Sequence, residues 1–536
     1  MSLNSPQMRR DGGLPGSTST SFFNQASQVQ NTGTMNIRVE NNSNVHSSQT
    51  SGKNPKELLL SHCALDALVD SNERFDPPKC APHTRDAIQT DIVDWANILI
   101  LSGLVMWLTG SAGSGKSAIA QTIAERFIRE GIPCAGFFFS RISGSSTRVD
   151  GDRLLPTIIY QLTLLIPEYK AAVMKKLNKD PAMFQRSRGS QMSALFTKPL
   201  QQFSLRRIFR ELRGGRPTPL VIIIDGLDEC RNPQVQCDLL RVIADAATSI
   251  RRRPVRFLIA SRPEAHLTRT FDQHRNFREG GLRRINLDDD QDAAVAILTF
   301  LRQEICKIHE EHPLRNHLDP SWPSQEILDF IVSKSSPQFI LASTIMSYVA
   351  SPKHRPTERL SAIVEILNQP TASVTDKPLQ RMDMLYTFIF DGIEEEHREL
   401  VEAILGILHL ASLEEYQLPL ITSEFLEKTL CLEPGEVYLR LEPLASVIQL
   451  PESPITPIKS LHASLFDFLL SSARSKDLAL DLNHAHAGLL GRKLLQDPEE
   501  TLQESIVIPP SPIIRMALEG LVNKISSNRS NISCGY

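Results

Sequence analysis

The chain has 536 residues, a length that predicts about two to four domains rather than one. Its apolar share of 41 % is that of an ordinary globular protein, and its formal net charge of −3 provides no overall field for nucleic acid or an anionic membrane. We therefore expect partners other than nucleic acid.

The N-terminus lacks the apolar core of a signal peptide, and the longest apolar run, residues 98–108, is about half of a membrane span. The eight cysteines form no CxxC pair and no zinc-type cluster with histidine. Free thiols in a reducing compartment explain them most simply. The sequence thus predicts a cytoplasmic protein without a membrane span.

Residues 1–56 are rich in Ser, Asn, Gln, Thr and Gly and predict a disordered or weakly ordered arm. Residues 57–103 are predicted to be a helical linker region. It contains helices at 58–70 and 84–98, with a proline-rich extended connector at 74–84 between them.

Residues 104–290 alternate between short apolar runs and amphipathic segments. Buried parallel strands separated by helical crossovers have this pattern. The sequence therefore predicts an α/β fold, with a P-loop NTPase core built on a parallel sheet of five strands. The predicted strands are residues 105–109, 135–140, 220–225, 256–261 and 282–287.

Beyond the predicted sheet the pattern becomes helical. We expect a helical domain at 291–370, a winged-helix-like domain at 371–480 and a helical tail at 481–536. Within the second of these, apolar residues 447–450 and 458–461 flank a proline-containing turn and predict a hairpin. Helices followed by a hairpin are typical of a winged helix.

A phosphate-binding signature follows the first predicted strand. It has the form GxxxxGK[ST], and a helical segment starts at Lys116. Glycines let backbone N–H groups point at phosphate oxygens, and a helix N-terminus adds partial positive charge. Lys116 is expected to hold the β- and γ-phosphates of ATP, and the Ser117 hydroxyl to bind Mg²⁺. The predicted nucleotide-binding residues of this loop are Gly110, Ser111, Ala112, Gly113, Ser114, Gly115, Lys116 and Ser117.

An acidic run ends the third predicted strand, at the sheet edge where ligands of open α/β sheets bind. Asp225 is the expected second Mg²⁺ ligand. Glu229 is the expected residue that orients or activates the attacking water, and Asp228 is its rival for that role. Arg262, at the end of the fourth predicted strand, is a candidate sensor of the γ-phosphate. An Asn-Lys-x-Asp signal for guanine is absent, which favours ATP over GTP.

Motifs beyond the phosphate loop carry a family resemblance. They are Pro-Lys-Cys-Ala-Pro-His-Thr-Arg at 78–85, Phe-Phe-Phe-Ser-Arg at 137–141, Asp-Gly-Leu-Asp-Glu-Cys at 225–230, and the segments 379–386 and 461–469. Together with the loop, they resemble the NACHT family of STAND (signal-transducing) P-loop NTPases, in the form common in mushroom-forming fungi. The similarity extends over about residues 60–490.

The resemblance implies a switch in which a winged-helix-like domain closes over bound nucleotide. ADP holds a closed monomer, and ATP permits self-association and signalling, in fungal non-self recognition or programmed cell death. Thr84 and Arg85 are placed near the base or ribose by the same resemblance. His462 matches the histidine of the Met-His-Asp signature, which contacts bound ADP, although Ala463 replaces the acid. A packing role for His462 is the alternative.

Two further departures from the family pattern concern a helix start and the end of the chain. Relatives often have Gly before Gln-Phe-Ile, where this chain has Ser-Ser-Pro at 335–337. Relatives often continue into ankyrin or WD repeats that recognise a ligand, whereas this chain ends at Tyr536. The sequence leaves two interpretations open, a truncated gene product or a switch that lacks this repeat sensor, and it does not identify the protein partners.

Two other functions fit the phosphate-loop motifs. A self-standing P-loop kinase needs a lid that binds its acceptor substrate, and a long helical region follows the core here instead. A non-hydrolysing interaction scaffold keeps the fold without turnover. An ATPase with a regulatory role agrees best with the set of motifs.

Overall fold

The computed structural model describes residues 54–74, 77–98, 103–141, 145–202, 219–250, 255–369, 378–411, 421–430, 432–451, 453–480 and 482. The predicted tail, apart from residue 482, and nearly all of the predicted arm lie outside these residues. Among the described residues, no helix combines the length and the apolar character needed to cross a membrane.

Five parallel strands form the central sheet. They are β1 (Val105–Thr109), β2 (Cys134–Phe138), β3 (Leu220–Asp225), β4 (Val255–Ser261) and β5 (Leu282–Asn286). Their order is β2-β3-β4-β1-β5, and each neighbouring pair is parallel. The chain thus forms a P-loop NTPase core, which confirms the predicted fold class. Because β3, β4 and β1 are adjacent, the residues that follow them meet at one edge of the sheet.

Helices cover both faces of the sheet. They are α1 (Pro55–Ser61), α2 (Asp86–Asn97), α3 (Lys116–Arg129), α4 (Leu154–Leu165), α5 (Pro167–Lys179), α6 (Arg188–Gln191), α7 (Lys198–Gln202), α8 (Pro233–Ser249) and α9 (Ala265–Gln273). Alternate strand residues point to opposite faces. Trp107 and Phe257 pack with α4, α8 and α9, whereas Met106 and Leu258 pack with α2 and α3. Strands β1 to β4 are buried throughout, which explains their nearly continuous apolar sequences.

The second half of the chain is mostly helical. Its elements are α10 (Ala293–Glu311), α11 (Gln325–Ser335), α12 (Phe339–Val349), α13 (Pro356–Leu367), α14 (Pro378–Asp391), α15 (Glu395–Leu410), α16 (Ser423–Leu430), α17 (Glu436–Leu441), β6 (Ile448–Gln449), β7 (Lys459–Ser460), α18 (Ser464–Leu469) and α19 (Ser472–Ser475). Strands β6 and β7 form the predicted antiparallel hairpin. Three helices followed by this hairpin have the order of a winged helix.

One buried apolar cluster extends from Ile297 of α10 to Leu469 of α18. It includes residues of α11 to α17 as well, so the two predicted C-terminal domains share a single hydrophobic core. We call residues 293–480 of this half the C-terminal body.

Local chemistry moves two predicted elements. The helix predicted at 58–70 begins earlier, at Pro55, because the Asn54 side chain caps it by accepting from the N–H of Lys56, and it ends at Ser61. Strand β2, predicted at 135–140, ends at Phe138. The N–H of Phe139 still donates to the carbonyl of Asp225 on β3 (3.0 Å), but the N–H of Ser140 donates to the carbonyl of Arg148 (3.1 Å), so the pairing with β3 stops there.

The six described cysteines are free thiols, as predicted. Burial raises the pKa of Cys63 and of Cys134 to about 12. These two thiols therefore stay protonated at neutral pH and act as small apolar core residues.

Candidate nucleotide-binding site

The phosphate loop joins β1 to α3 at the carboxyl edge of the sheet. Gly113 and Gly115 have φ values of 78° and 96°, in the left-handed region that favours glycine. These two positions let the backbone curl before α3 begins at Lys116. The N-terminus of a fourteen-residue helix therefore points into the loop, where it favours an anion.

Lys116 lies at the centre of this loop. Its ammonium donates to the carbonyls of Gly110 (2.9 Å) and Ser111 (2.7 Å). Burial lowers the pKa of Lys116, while the carboxylate of Asp228 opposes that shift. The turn after β5 holds the rim of the loop, since the N–H and the hydroxyl of Ser111 both donate to Asp288, at 2.9 and 2.8 Å.

A cavity of about 540 Å³ opens beside the loop, a size suited to a nucleotide. The core and the C-terminal body both contribute to its walls. The predicted residues that line it are Thr84, Arg85, Ala112, Gly113, Gly115, Lys116, Ser117, Asp225, Asp228, Glu229, Arg262 and His462. The structure therefore brings residues from five separate segments to one site. Gly110, Ser111 and Ser114 lie in the loop itself without lining the cavity.

The two predicted Mg²⁺ ligands lie at the same cavity. Ser117 and Asp225 both line it, and Asp225 Oδ1 is buried without a hydrogen-bond partner among the described residues. Burial raises the pKa of Asp225 to about 6. A buried carboxylate oxygen with a spare lone pair beside a hydroxyl is a donor set that Mg²⁺ accepts. The residues present thus fit the metal.

The neighbouring carboxylates Asp228 and Glu229 have different partners. Asp228 holds Arg262: its Oδ1 accepts from the Arg262 backbone N–H at 3.0 Å, and its Oδ2 lies 3.3 Å from the guanidinium Nε. Glu229 accepts from the backbone N–H of Arg141 at 2.9 Å. Burial, with the charge of Asp228, raises the pKa of Glu229 to about 7. Asp228 is thus paired with a guanidinium, whereas the carboxyl group of Glu229 has a pKa near neutrality.

Arg262 also bonds to the C-terminal body. Its Nη1 donates to Asp467 Oδ2 of α18 at 2.7 Å. Burial alone would lower the pKa of Arg262, but the carboxylates of Asp467 and Asp228 raise it. One guanidinium therefore joins the end of β4 to α18.

His462 follows the hairpin and faces the same cavity. The backbone N–H of Ser464 donates to His462 Nδ1 at 3.0 Å. Burial, followed by the charges of Arg262 and Lys116, lowers the pKa of His462 to about 3, so the ring is neutral. Because Nδ1 accepts, the proton of the neutral ring belongs on Nε2, which can donate to an anion.

Thr84 and Arg85 also line the cavity. Arg85 is ion-paired with Asp290, and its Nη2 donates to the carbonyl of Ser114 at 3.2 Å. Its guanidinium lies 4.9 Å from the ring centre of Phe339. Arg85 thus supports the phosphate loop, and Phe339, which lines the cavity as well, provides an aromatic wall.

Helix α12 begins at this wall, at Phe339, with Gln338 as its N-cap residue despite the preceding Ser-Ser-Pro. The backbone N–H of Ile340 donates to the carbonyl of Gly113 at 3.2 Å. The start of α12 therefore contacts the phosphate loop directly.

Sequence reasoning missed Asp467. It lies one helical turn after Ala463, to which its N–H is hydrogen-bonded at 3.2 Å. The sequence shows that Asp467 follows His462 closely. Its pairing with Arg262 is not visible there, because the two residues are 205 positions apart and only the fold brings them together. Asp288, Asp290, Arg74, Arg148 and Lys459 were missed for the same reason.

The family model described as Nephrocystin 3, N-terminal matches residues 90–262. The matched segment begins within α2 and contains the phosphate loop, the acidic run after β3 and Arg262. It does not reach His462 or Asp467. No curated protein matches the chain.

Several solved structures are similar to this chain in fold. The ORC2 protein of Aeropyrum pernix, in complexes with ADPNP and ADP, matches with 14% identity and a TM-score of 0.33, covering 80% of this chain and 98% of that one. The Walker-type ATPase of Pyrococcus abyssi matches with 15% identity and a TM-score of 0.31, covering 72% and 96%. Cdc6p from Pyrobaculum aerophilum matches with 14% identity and a TM-score of 0.33, covering 77% and 98%.

Proposed function

We propose that the protein binds ATP with Mg²⁺, hydrolyses it slowly and acts as a nucleotide-controlled switch. One observation carries this proposal: Asp467 of the C-terminal body pairs with Arg262, the residue of the core best placed to meet a γ-phosphate. Because the C-terminal body binds the same arginine that would meet the γ-phosphate, the bound nucleotide can control whether the body closes over the cavity.

The core residues divide the work of hydrolysis. Lys116 holds the β- and γ-phosphates, and Ser117 and Asp225 would hold Mg²⁺, which would supply positive charge beside the phosphates. Glu229 accepts the proton of the attacking water, and its pKa of about 7 suits a base that works at neutral pH. Arg262 stabilises the charge of the transferred phosphoryl group.

The switch follows from competition for Arg262. With ADP bound, Arg262 stays with Asp467, and His462 donates from Nε2 to the β-phosphate, so both contacts favour the closed state. With ATP bound, the γ-phosphate draws Arg262 away from Asp467 and weakens closure. The released body then exposes surface for self-association. The family resemblance supports a cytoplasmic signalling role, in non-self recognition or programmed cell death, through protein partners.

Light scattering on purified protein tests this function. We expect a monomer with Mg²⁺ and ADP and a larger assembly with a non-hydrolysable ATP analogue. Equal masses in the two states would contradict the switch. Rapid turnover by a monomer with an acceptor substrate would favour a kinase, and absence of nucleotide binding would favour a scaffold.

Asp467→Asn keeps the size of the side chain and removes its charge. Because the ion pair with Arg262 is partly exposed, the loss is expected to be about 1 kcal/mol, which shifts the closed-to-open ratio roughly fivefold. ADP should dissociate faster by a similar factor, measured by stopped-flow fluorescence, and assembly should need less ATP analogue. Asp477→Asn, on an exposed residue nearby, is the matched control and should leave both unchanged. If Asp467→Asn released ADP at the wild-type rate, Asp467 would have no role in the switch.

His462→Ala removes the donor expected at the β-phosphate. A hydrogen bond to a charged oxygen is worth about 1.5–3 kcal/mol, so the ADP off-rate should rise roughly ten- to a hundredfold. Spontaneous assembly should rise too, with little change in folding cooperativity. A packing histidine makes the opposite forecast, namely a lower melting temperature with normal ADP release. Measuring both quantities on the same variant decides between the two roles.

A further inference from the structure

Three cations lie together on the β2 side of the nucleotide cavity, and the hydrolytic mechanism uses none of them. Arg74, Arg148 and Lys459 all line the cavity. Phe138, the last residue of β2, joins the two arginines: the Arg74 guanidinium lies over its ring at 3.7 Å, and Arg148 Nε donates to its carbonyl at 3.0 Å. Lys459 reaches in from β7 and donates to the carbonyl of Glu73 at 2.9 Å.

These charges lack close counter-ions. Within the described part of the chain, no carboxylate oxygen lies within 4.0 Å of any of the three cations. The two arginines are deeply buried, with Arg74 9% and Arg148 8% exposed. Burial lowers the pKa of all three groups, and the charge of Arg148 lowers it further at Arg74 and Lys459. Buried like charges are costly to hold together unless an anion joins them.

Hydrogen-bond donors remain free in this cluster. Arg148 uses Nε on the Phe138 carbonyl, and its two terminal nitrogens make no hydrogen bond to a described residue. Arg74 donates from Nη1 to the carbonyls of Leu68 and Val69, both at 3.2 Å. Its Nε and Nη2 make no hydrogen bond to a described residue. The backbone contacts fix the positions of the guanidinium groups, and the remaining donors suit a tetrahedral oxyanion.

The cluster lines the same cavity as the hydrolytic carboxylates. Against the larger effect of burial, the carboxylates of Asp66, Glu229 and Asp225 raise the pKa of Arg148, and that of Asp225 raises the pKa of Arg74. Since Asp225 and Glu229 flank the expected position of the γ-phosphate, the cations lie close to the point where the phosphate is cleaved.

We propose that Arg74, Arg148 and Lys459 form a subsite for inorganic phosphate, the product of ATP hydrolysis. This inference rests on the proposed function. Water attacks the γ-phosphorus, Glu229 takes its proton, the bond to the β-phosphate oxygen breaks, and phosphate separates from ADP into the cation cluster. Because Lys459 belongs to the C-terminal body and the arginines to the core, retained phosphate bridges the two and delays opening.

Equilibrium dialysis of radiolabelled orthophosphate against the full chain loaded with Mg²⁺ and ADP tests the subsite. Arg148→Gln and Lys459→Gln each remove one charge while keeping a polar side chain. Each should weaken phosphate binding at least tenfold, and the decrease in phosphate affinity should exceed any decrease in ADP affinity. Arg275→Gln, on an exposed arginine outside the cavity walls, is the matched control and should bind phosphate as the wild type does.

The outcomes separate the subsite from the switch. If Arg148→Gln does not fold, Lys459→Gln decides alone, because its side chain is only half-buried and its one hydrogen bond goes to a backbone carbonyl. Equal phosphate affinity in the wild type and Lys459→Gln overturns the subsite, as does a wild type that binds no phosphate at millimolar concentration. Lys459-dependent phosphate binding in a protein that does not hydrolyse ATP supports the subsite and rejects the proposed function.

Discussion

Replacing Lys116 with alanine is expected to weaken the binding of both ATP and ADP by at least tenfold, about 1.4 kcal/mol. The ammonium is buried inside the phosphate loop, where its hydrogen bonds go to loop atoms alone among the described residues. Its removal takes a positive charge from the phosphate position without opening the apolar core. Titration calorimetry with each nucleotide measures the loss.

Lys170→Ala is the matched control for this substitution, because Lys170 is an exposed lysine of α5. It should bind nucleotide as the wild type does. Unchanged ATP binding by Lys116→Ala, in a protein with a normal melting temperature, would show that the loop is not the nucleotide site.

Glu229→Gln is expected to reduce ATP hydrolysis by about 10²–10⁴-fold while nucleotide binding survives, because an amide keeps the shape and cannot accept a proton. The ATP-bound, assembly-prone state should then accumulate. The pH profile adds an independent readout. A pKa raised from 4.5 to about 7 means that the basic form is lost as pH falls through 7, so wild-type hydrolysis should decline roughly tenfold per pH unit below that point. Steady-state phosphate release across this range measures both effects.

Asp228→Asn is the comparison that separates the two carboxylates. Since Asp228 holds Arg262, its loss should lower the rate through the sensor and keep the pH dependence that Glu229 imposes. Normal hydrolysis by Glu229→Gln, together with a large loss in Asp228→Asn, would assign the base to Asp228 instead.

The parts of the site that lie in short, continuous segments were predictable. The spacing of Gly, Lys and Ser in residues 110–117 is enough to identify a phosphate-binding loop. The apolar run that ends at Asp225 indicates a buried strand and shows that Asp225 lies at the edge of the sheet. The hairpin at β6 and β7 was also predictable, because two apolar runs flank a proline-containing turn.

Contacts between distant segments were not predictable from the sequence. Packing of the C-terminal body against the sheet brings Arg262 to Asp467, and it brings Lys459 into the same cavity as Arg148. No periodic pattern in the sequence encodes that packing. For Arg85, the resemblance placed the residue near the base or ribose, and the structure adds an ion pair with Asp290 and a hydrogen bond to the phosphate loop. A positively charged residue in a nucleotide-binding motif can therefore support the phosphate loop rather than contact the nucleotide.

The contact between the phosphate loop and α12 has a mechanical consequence. Beside Gly113, the space where a Cβ atom would lie is occupied by Ile340, whose Cγ2 atom is 2.1 Å from that position. Ile340 belongs to the core of the C-terminal body, so its side chain packs directly against the backbone of the loop at Gly113. Packed interiors transmit small displacements rather than damp them. A small shift of the loop when phosphates bind would therefore displace Ile340 and the start of α12. Through the shared hydrophobic core, this displacement would reach the rest of the C-terminal body.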